Sequence, residues 1–312
     1  MSGYSCRKCG EACAINMRQH RLALCENDFI EWVRKHTAEF IAKHRMIEPD
    51  DRVLVAVSGG KDSLALWSIL LDLGFRADGL HIDLGIEGGN GYSERSRQYA
   101  RRFADGISPG TVLHILNVRD IYGKSVPELA RKGVRGRKKF CSACGLVKRH
   151  EMNRTARELG YTVLVTGHNL DDEAAVLLGN VLHWETEYMA RQLPVLQGND
   201  SGLIKRAKPF ARFYERETAA YAIVSGIDYM PDECPFSHGA TSLGYKEILN
   251  SMENQSPGTK LKFYFEFLRA KKKGLLQGYT PAELRQCGKC GEVTGSSGLC
   301  AFCRLIERAR LP

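Results

Sequence analysis

The chain has 312 residues, 43% of them hydrophobic, which is enough for one large globular domain or two modest ones with a real core. Its 45 lysines and arginines exceed its 36 aspartates and glutamates, and the net charge of +9 favours a polyanionic partner, although a merely basic soluble protein has the same balance. No apolar run reaches the roughly 18 residues of a membrane-spanning helix, and residues 1–13 carry cysteine and charge where a signal peptide is apolar. We therefore expect a cytoplasmic protein with no membrane partner.

Eleven cysteines fall into three groups, at the beginning, in the middle and at the end of the chain. In a reducing compartment, clustered cysteines indicate metal sites rather than disulfides. Three cysteines of the first group have the spacing of zinc ligands: Cys6, Cys9 and Cys25. The fourth ligand is open among three residues: Asp28, which gives Cys25-x2-Asp28, Cys13 and His20. We expect residues 1–28 to form an N-terminal zinc knuckle.

The body of the chain alternates short apolar runs with amphipathic segments. The apolar runs predict strands at residues 52–57, 78–83, 111–118 and 161–166. The other segments predict helices at residues 28–45, 63–73, 92–103, 171–183, 214–225, 245–253 and 259–272. This order predicts an α/β fold with a parallel sheet covered on both faces, in which ligands bind beyond the C-terminal ends of the strands.

The sequence Ser-Gly-Gly-Lys-Asp-Ser at residues 58–63 follows the first strand of the body and opens a helix. Glycines let the backbone approach a phosphate closely, and a helix N-terminus offers free N–H donors and a positive dipole. Every residue of the loop is therefore a candidate for binding ATP phosphates: Ser58, Gly59, Gly60, Lys61, Asp62 and Ser63. Asp62 can also hold a magnesium ion near the phosphates. The loop lacks the Walker A spacing, and an incidental Gly-Gly turn does not explain the strand before it and the helix after it.

The middle group consists of Cys141-x2-Cys144, which begins a helix, and Cys234, which stands alone. Three thiolates can hold a 4Fe–4S cluster and leave one iron open for a non-protein ligand. Zinc is an alternative, because His238 offers a fourth ligand in Cys234-x3-His238. A third reading is a cysteine pair that carries a persulfide and resolves as a disulfide. Spacing alone favours zinc and iron–sulfur about equally.

The last group has the spacing of a compact zinc ribbon. Its four ligands form two CxxC pairs: Cys287, Cys290, Cys300 and Cys303. Four thiolates at this spacing close a tetrahedral structural zinc site. We therefore expect a C-terminal zinc ribbon at residues 276–312 and a central domain at residues 29–275, whose part after residue 213 is helical.

Together these motifs resemble the TtuA-type tRNA 2-thiouridine synthetases, of the TtcA/TtuA group of PP-loop ATP pyrophosphatases. The motifs that carry the resemblance span nearly the whole chain: the N-terminal knuckle, SGGKDS, the central CxxC, TGHNLDDEA, CPFSHGATSLGYKEILN and the final ribbon. The resemblance implies a PP-loop ATP pyrophosphatase domain, like an adenine nucleotide alpha hydrolase, flanked by two zinc modules. The family's first knuckle usually closes with Cys or His where Asp28 stands, so this chain departs from the pattern there.

The resemblance also implies roles for particular residues. It assigns Cys141, Cys144 and Cys234 to a 4Fe–4S cluster and leaves His238 as a bystander. It assigns catalysis to Asp62, Lys148 and Asp172, although spacing alone would make Lys148 a surface lysine and Asp172 a carboxylate of the first helical turn. It places Gly167 and His168 at the end of a strand beside the ATP site. The basic run between two strands is expected to contact the tRNA backbone, through Arg131, Lys132, Arg135, Arg137, Lys138 and Lys139.

The function implied is ATP-dependent thiolation of a tRNA uridine at C2, with the T-loop uridine favoured. The implied cofactors are ATP, Mg²⁺, the 4Fe–4S cluster and two Zn²⁺ ions. The implied partners are tRNA, a sulfur donor (a thiocarboxylated ubiquitin-like protein, sulfide or a persulfide carrier) and a second copy of the chain in a homodimer. Three alternatives stay open: thiolation of the wobble uridine or another tRNA base, a PP-loop ligase acting on a small molecule, and a non-catalytic zinc-ribbon protein that binds RNA.

Overall fold

The computed structural model describes residues 4–89, 91–107, 110–133, 140–237, 241–278 and 283–310. None of the helices in these ranges is long and apolar enough to span a membrane. The first elements are an antiparallel hairpin of β1 (Ile15–Met17) and β2 (Leu22–Leu24), followed by helix α1 (Glu26–His44). Met17 and Leu24 are fully buried in the same core as Phe29 of α1, so the hairpin packs against the body of the protein.

A six-stranded sheet forms the centre of the protein. Its strands are β3 (Val53–Ala56), β4 (Ala77–Asp83), β5 (Leu113–Asn117), β6 (Val163–Thr166), β7 (Val195–Leu196) and β8 (Lys205–Ala207). Their order across the sheet is β5-β4-β3-β6-β8-β7, and every pairing is parallel except the one between β7 and β8. The strand order reverses at β3, which is the first strand of this sheet along the chain. Such a reversal is called the switch point, and ligands of parallel sheets bind there.

Helices cover both faces of this sheet. They are α2 (Lys61–Asp72), α3 (Tyr92–Asp105), α4 (Val118–Tyr122), α5 (Val126–Gly133), α6 (Phe140–Glu158), α7 (Leu170–Leu182), α8 (Thr186–Arg191), α9 (Glu215–Val224), α10 (Thr241–Gln255) and α11 (Thr259–Lys272). Val53 and Val55 of β3 pack into the core that contains α2, whereas Leu54 between them packs into a second core with Ala156 of α6. Because successive strand residues point to opposite faces, a strand between two helical layers must be apolar throughout.

The C-terminal part consists of the hairpin strands β9 (Arg285–Gln286) and β10 (Val293–Thr294) and helix α12 (Ala301–Arg310). It shares a hydrophobic core with α5 and α6, to which Phe302 and Ile306 contribute. Glu292, which is buried, accepts a hydrogen bond from Asn153 of α6 at 2.7 Å and forms an ion pair with Arg157 of the same helix at 2.6 Å. This part of the chain is therefore fixed to the helix that carries Cys141 and Cys144.

The expected fold class is confirmed: an α/β protein with a mostly parallel sheet and a cysteine-rich region at each end. All four predicted strands and all seven predicted helices are present, with ends shifted by a few residues. The predicted helix at residues 245–253 is longer than expected, since α10 begins at Thr241. Only the beginning of α6 was predicted, and the elements without any prediction are α4, α5, α8, α12, β1, β2, β7, β8, β9 and β10.

Candidate active site

The loop at residues 58–63 connects β3 to α2 at the switch point of the sheet. Its serines shape the loop, since the Ser63 hydroxyl donates to the Gly60 carbonyl at 2.9 Å and accepts from the Ser58 amide at 3.1 Å. Gly60 is the N-cap of α2 and provides no side chain to cap the helix. The first amides of α2 are therefore available to an anion, as the sequence predicts for a phosphate loop.

Two glycines allow the backbone to come close around this loop. Gly59 has φ +77°, and a Cβ on it would collide with the carbonyl oxygen of Ser96. Gly167, which follows β6, has its backbone so close to α2 that a Cβ would lie 2.9 Å from the carbonyl carbon and oxygen of Asp62. Both positions therefore require glycine for packing, and Gly167 sets the distance between β6 and the loop.

Substitution of Gly167 by alanine is expected to weaken nucleotide binding roughly tenfold, because the first turn of α2 must move to admit the new methyl group. Isothermal titration with a non-hydrolysable ATP analogue measures this effect. Gly244→Ala in α10 is the matched control, because a Cβ there meets no atom within 4 Å. Equal affinities for the two variants would contradict the role assigned to Gly167.

A cavity of about 310 Å³ lies beside the loop, at the C-terminal ends of β3, β4 and β6. It is of the size that binds small ligands. Its walls include most of the residues expected to bind ATP or to act in catalysis: Ser58, Asp62, Ser63, Lys148, Gly167, His168 and Asp172. Tyr92 and Ser96 of α3 also line it, and the sequence analysis did not identify them.

Lys61 points away from the cavity. Its ammonium group lies 3.0 Å from Asp62 and 2.9 Å from Glu215. Burial opposes the charge, but the two carboxylates outweigh it and raise the pKa of Lys61. Asp62 itself accepts hydrogen bonds from Thr218 and, at 3.4 Å, from Asn169. The side chain of Asp62 is therefore fixed from three directions at the edge of the cavity.

Each of the three acidic residues that open α7 is paired with a lysine from a later part of the chain. The pairs are Asp171 with Lys260, Asp172 with Lys246 at 2.6 Å, and Glu173 with Lys208 at 2.7 Å. Asp172 also accepts from the Asn169 amide at 3.0 Å, which closes a capping box at the start of α7. Asp172 is thus both a first-turn carboxylate and a residue of the cavity wall, so the two interpretations of it are compatible.

Lys148 lies on α6, half-buried, and faces the cavity. Among the described residues, no carboxylate forms an ion pair with it, whereas the lysines around Asp172 and Glu215 are all paired. It lies one helical turn beyond Cys144, so the two side chains share one face of α6. A free ammonium group in this position is suited to an anionic ligand.

Cys144 and Cys234 lie near Tyr92, which lines the cavity, and Cys141 contacts the segment that carries Cys234. Cys141 Sγ lies 3.4 Å from the carbonyl oxygen of Phe236, two residues after Cys234. Burial raises the pKa of the Cys144 thiol, and the nearby Cys234 and Cys141 raise it further. The positive charge of Lys148 acts in the opposite direction. Burial and the nearby Cys234 and Cys144 likewise raise the pKa of Tyr92, which lines the cavity, to about 12.

A single metal ion does not suit this arrangement. Among the residues that the structure describes, only the two terminal groups bring three or more potential ligand atoms within 4.8 Å of one another. Cys141, Cys144 and Cys234 do not form such a group, although all three are described. In a cubane cluster each thiolate binds a different iron, so three thiols around a larger volume fit that cofactor better than zinc. His238, the alternative zinc ligand, lies outside the described residues.

The N-terminal group brings together Cys6, Cys9, Cys25 and Asp28. Asp28 Oδ2 lies 3.0 Å from Cys6 Sγ and 3.3 Å from Cys25 Sγ. Hydrogen bonds from Cys6, Cys9 and Cys25 lower the pKa of Asp28 to about 2, so the carboxylate is ionised and able to bind a metal. His20 instead lies 2.9 Å from Glu217, and neither it nor Cys13 belongs to the group.

The C-terminal group brings together Cys287, Cys290, Cys300 and Cys303. Backbone amides donate to its sulfur atoms, from Cys300 to Cys287 at 3.2 Å and from Cys303 to Cys300 at 3.3 Å. Burial opposes ionisation of Cys287, but the amides of Cys300, Cys290 and Lys289 outweigh it and lower the pKa of Cys287 to about 6. In each terminal group the four potential ligand atoms lie within 4.8 Å of one another, so both groups can hold a metal ion.

None of the eleven cysteines forms a disulfide.

The basic run predicted to contact RNA falls largely outside the described residues, since residues 134–139 are not among them. Arg131 is exposed at the end of α5, at one edge of that segment.

Comparisons with known proteins identify close relatives. No family model matches the sequence. The chain is 48% identical over 302 residues to the tRNA-5-methyluridine(54) 2-sulfurtransferase of Thermus thermophilus, covering 97% of this chain and 91% of that protein. It is 40% identical over 299 residues to the enzyme of the same name from Pyrococcus horikoshii, covering 96% and 92%. Among solved structures it resembles the U34-tRNA thiolase of Methanococcus maripaludis with its [4Fe-4S] cluster, with a TM-score of 0.77 at 23% identity over 98% of this chain and 97% of that one, a likeness of fold.

Proposed function

The chain belongs to the family of tRNA-5-methyluridine(54) 2-sulfurtransferases, and from this we propose that it uses ATP to convert the T-loop uridine of tRNA to a 2-thiouridine. One observation carries the proposal beyond the family name. The phosphate loop and Lys148 line one cavity, and Lys148 lies on the same helix face as Cys144, one of the mid-chain thiols. An activated base and a sulfur atom can therefore react in one place.

The first step is activation of the uridine. Its C2 oxygen attacks the α-phosphate of ATP, pyrophosphate leaves, and the oxygen becomes part of a good leaving group. The amides at the start of α2 and the hydroxyls of Ser58 and Ser63 bind the phosphates. Gly167 and His168 line the cavity beside the start of α2. A magnesium ion between the phosphates and Asp62 would offset the negative charge there.

Lys148 and Asp172 both line the cavity in which the reacting groups would lie. The ammonium of Lys148, which pairs with no carboxylate in the described part of the chain, stabilises the negative charge that develops on the base or the phosphate as the oxygen attacks. Asp172 either binds the magnesium ion or removes a proton as the base becomes activated. A sulfur nucleophile then attacks C2, and AMP departs with the original oxygen.

Cys141, Cys144 and Cys234 are proposed to hold a 4Fe–4S cluster, which when bound would supply an iron without a protein ligand to carry sulfide. The separation of the three thiols and the apolar surroundings of Cys144 and Cys234, which include Leu146 and Phe236, support this assignment. The two terminal groups are proposed to hold structural zinc, with Asp28 as the fourth ligand of the first. On this basis we retain the division into residues 1–28, 29–275 and 276–312.

The remaining assignments concern partners and location. The net charge of +9 supports tRNA binding, in which the basic run around residues 131–139 would contact the phosphate backbone. Free thiols throughout the chain support a reducing compartment, the cytoplasm. The sulfur donor, either a thiocarboxylated ubiquitin-like protein or a smaller sulfide or persulfide source, and the homodimer are proposed from the family resemblance.

The test is anaerobic thiolation of tRNA by purified protein, with pyrophosphate release and the mass spectrum of nuclease digests as readouts. We expect pyrophosphate release to require tRNA, and the mass shift from oxygen to sulfur to map to position 54. A tRNA with cytidine at position 54 is the control and should not be thiolated. Sulfur at the wobble position, or pyrophosphate release that tRNA does not stimulate, would refute the proposal.

A further inference from the structure

Lys246, on α10, reaches the edge of the nucleotide cavity from a distant part of the chain. Its Nζ lies 2.6 Å from Asp172 Oδ1 and 3.0 Å from Glu215 Oε2, and its side chain is 19% exposed. Lys246 does not line the cavity itself. It therefore contacts the cavity through a residue that does.

Lys246 belongs to a chain of five alternating charges. The chain runs from Asp62 through Lys61, Glu215 and Lys246 to Asp172, with successive distances of 3.0, 2.9, 3.0 and 2.6 Å. Its two ends line the cavity, and its three middle members lie behind the wall. The chain thus joins the phosphate loop on α2 to the start of α7 through α9 and α10.

The charges in this chain depend on one another. Burial opposes ionisation of Glu215, but Lys61 and Lys246 outweigh it and hold the pKa of Glu215 at about 2. Burial likewise opposes the charge on Lys246, and Asp172 and Glu215 outweigh it and raise its pKa. Without Lys246, two ionised carboxylates would face each other with no cation between them, and Asp172 would be repelled from its present position.

The segment before Lys246 strengthens this connection. Met230 donates its amide to the Gly59 carbonyl of the phosphate loop at 2.9 Å. Cys234 lies between this contact and Lys246, so the stretch that carries the third thiol is attached to the nucleotide site on both sides.

We propose that Lys246 is a positioning residue for the thiolation reaction. It holds the Asp172 carboxylate toward the cavity and, through Glu215 and Lys61, fixes the position of that carboxylate relative to the phosphate loop. The proposal rests on the proposed function in one respect, that Asp172 acts on the activated base. A purely structural role, in which Lys246 only ties α10 to α7, is the competing account.

Steady-state kinetics of tRNA-dependent pyrophosphate release by the anaerobically purified enzyme separate the two accounts. Lys246→Met is expected to lower kcat by about 10- to 100-fold, because Asp172 moves, and to leave KM for ATP within about threefold, because Lys246 does not line the cavity. Lys246→Arg, which keeps the charge, should recover most of the loss. Lys205→Met is the matched control, since Lys205 is also largely buried and paired with one carboxylate, Asp51, but lies away from the cavity.

The outcomes are distinct. A Lys246→Met enzyme with kcat within twofold of wild type would overturn the proposal, as would equal losses in Lys246→Met and Lys205→Met that follow their melting temperatures. If Lys246→Met does not fold, Lys246→Gln tests whether the charge of Lys246 positions Asp172, because the amide can donate to Asp172 but brings no charge. An unchanged kcat in Lys246→Gln also overturns the proposal. Absence of tRNA-dependent release by the wild-type enzyme would instead refute the proposed function.

Discussion

Replacement of Cys141 by alanine is expected to remove iron from the anaerobically purified protein and to leave its zinc content unchanged. Two remaining thiolates do not hold a cubane cluster firmly, whereas both terminal groups keep all their ligands. Thiolation of tRNA should fall to background, because the sulfur nucleophile is no longer held beside the activated base. Iron, acid-labile sulfide and zinc are measured on the same samples, together with the visible absorption of the cluster.

Cys13→Ala is the matched control for this experiment. Cys13 is also a free, partly exposed cysteine, but it belongs to neither terminal group and lies far from Cys141 in the sequence. The Cys13→Ala change should alter neither the iron and zinc content of the protein nor its thiolation of tRNA. Zinc loss in parallel with iron in Cys141→Ala, or full iron retention, would contradict the division of metals proposed for the three cysteine groups.

Most of the long elements of the fold could be predicted from the pattern of their apolar residues, although only the beginning of α6 was predicted and α12 was not. Val53, Leu54 and Val55 are all buried in β3, and an uninterrupted apolar run of this kind predicts a strand covered on both faces. Strands β7 and β8 are different, since they contain two and three residues. Such short strands have no period of their own and form because their backbones pair with each other and, for β8, with β6.

The candidate site could be predicted from the sequence only where its residues are close to one another in the chain. The phosphate loop and the CxxC pairs have fixed spacings, so the sequence alone identified them. For the first knuckle it left three candidates for the fourth ligand, and only the fold shows that Asp28 joins the cysteines while His20 contacts Glu217. Whether Asp28 binds zinc remains a prediction.

Contacts between distant segments could not be predicted at all. Lys246 and Glu215 are ordinary surface-type residues in the sequence, and their importance follows from the packing of α9 and α10 against the loop. Asp172 is different, because the sequence analysis identified it both as a first-turn carboxylate and as a catalytic candidate, and only its contact with Lys246 was missed. A single sequence carries no signal for side chains that meet only after the helices have packed.

The phosphate loop gives the second large expected effect, through Asp62. Asp62→Asn is expected to lower kcat/KM for tRNA-dependent pyrophosphate release by about 10²- to 10³-fold, the size of effect seen when a group that stabilises transition-state charge is removed. The asparagine oxygen can still accept the hydrogen bond from Thr218, so the loop should keep its shape. What is lost is the negative charge that pairs with Lys61 and that would bind magnesium at the phosphates.

Asp72→Asn provides the comparison, because Asp72 ends the same helix α2, is 46% exposed and lies 3.8 Å from Arg34, away from the cavity. Its activity should equal that of the wild-type enzyme. Varying the magnesium concentration distinguishes the two functions of the Asp62 charge: if the charge recruits the metal, the Asn variant needs more magnesium to reach half-maximal rate. If it only orients Lys61, the magnesium requirement stays the same while the rate falls. An Asp62→Asn enzyme within threefold of wild type at every magnesium concentration would show that this carboxylate takes no part in activating the base.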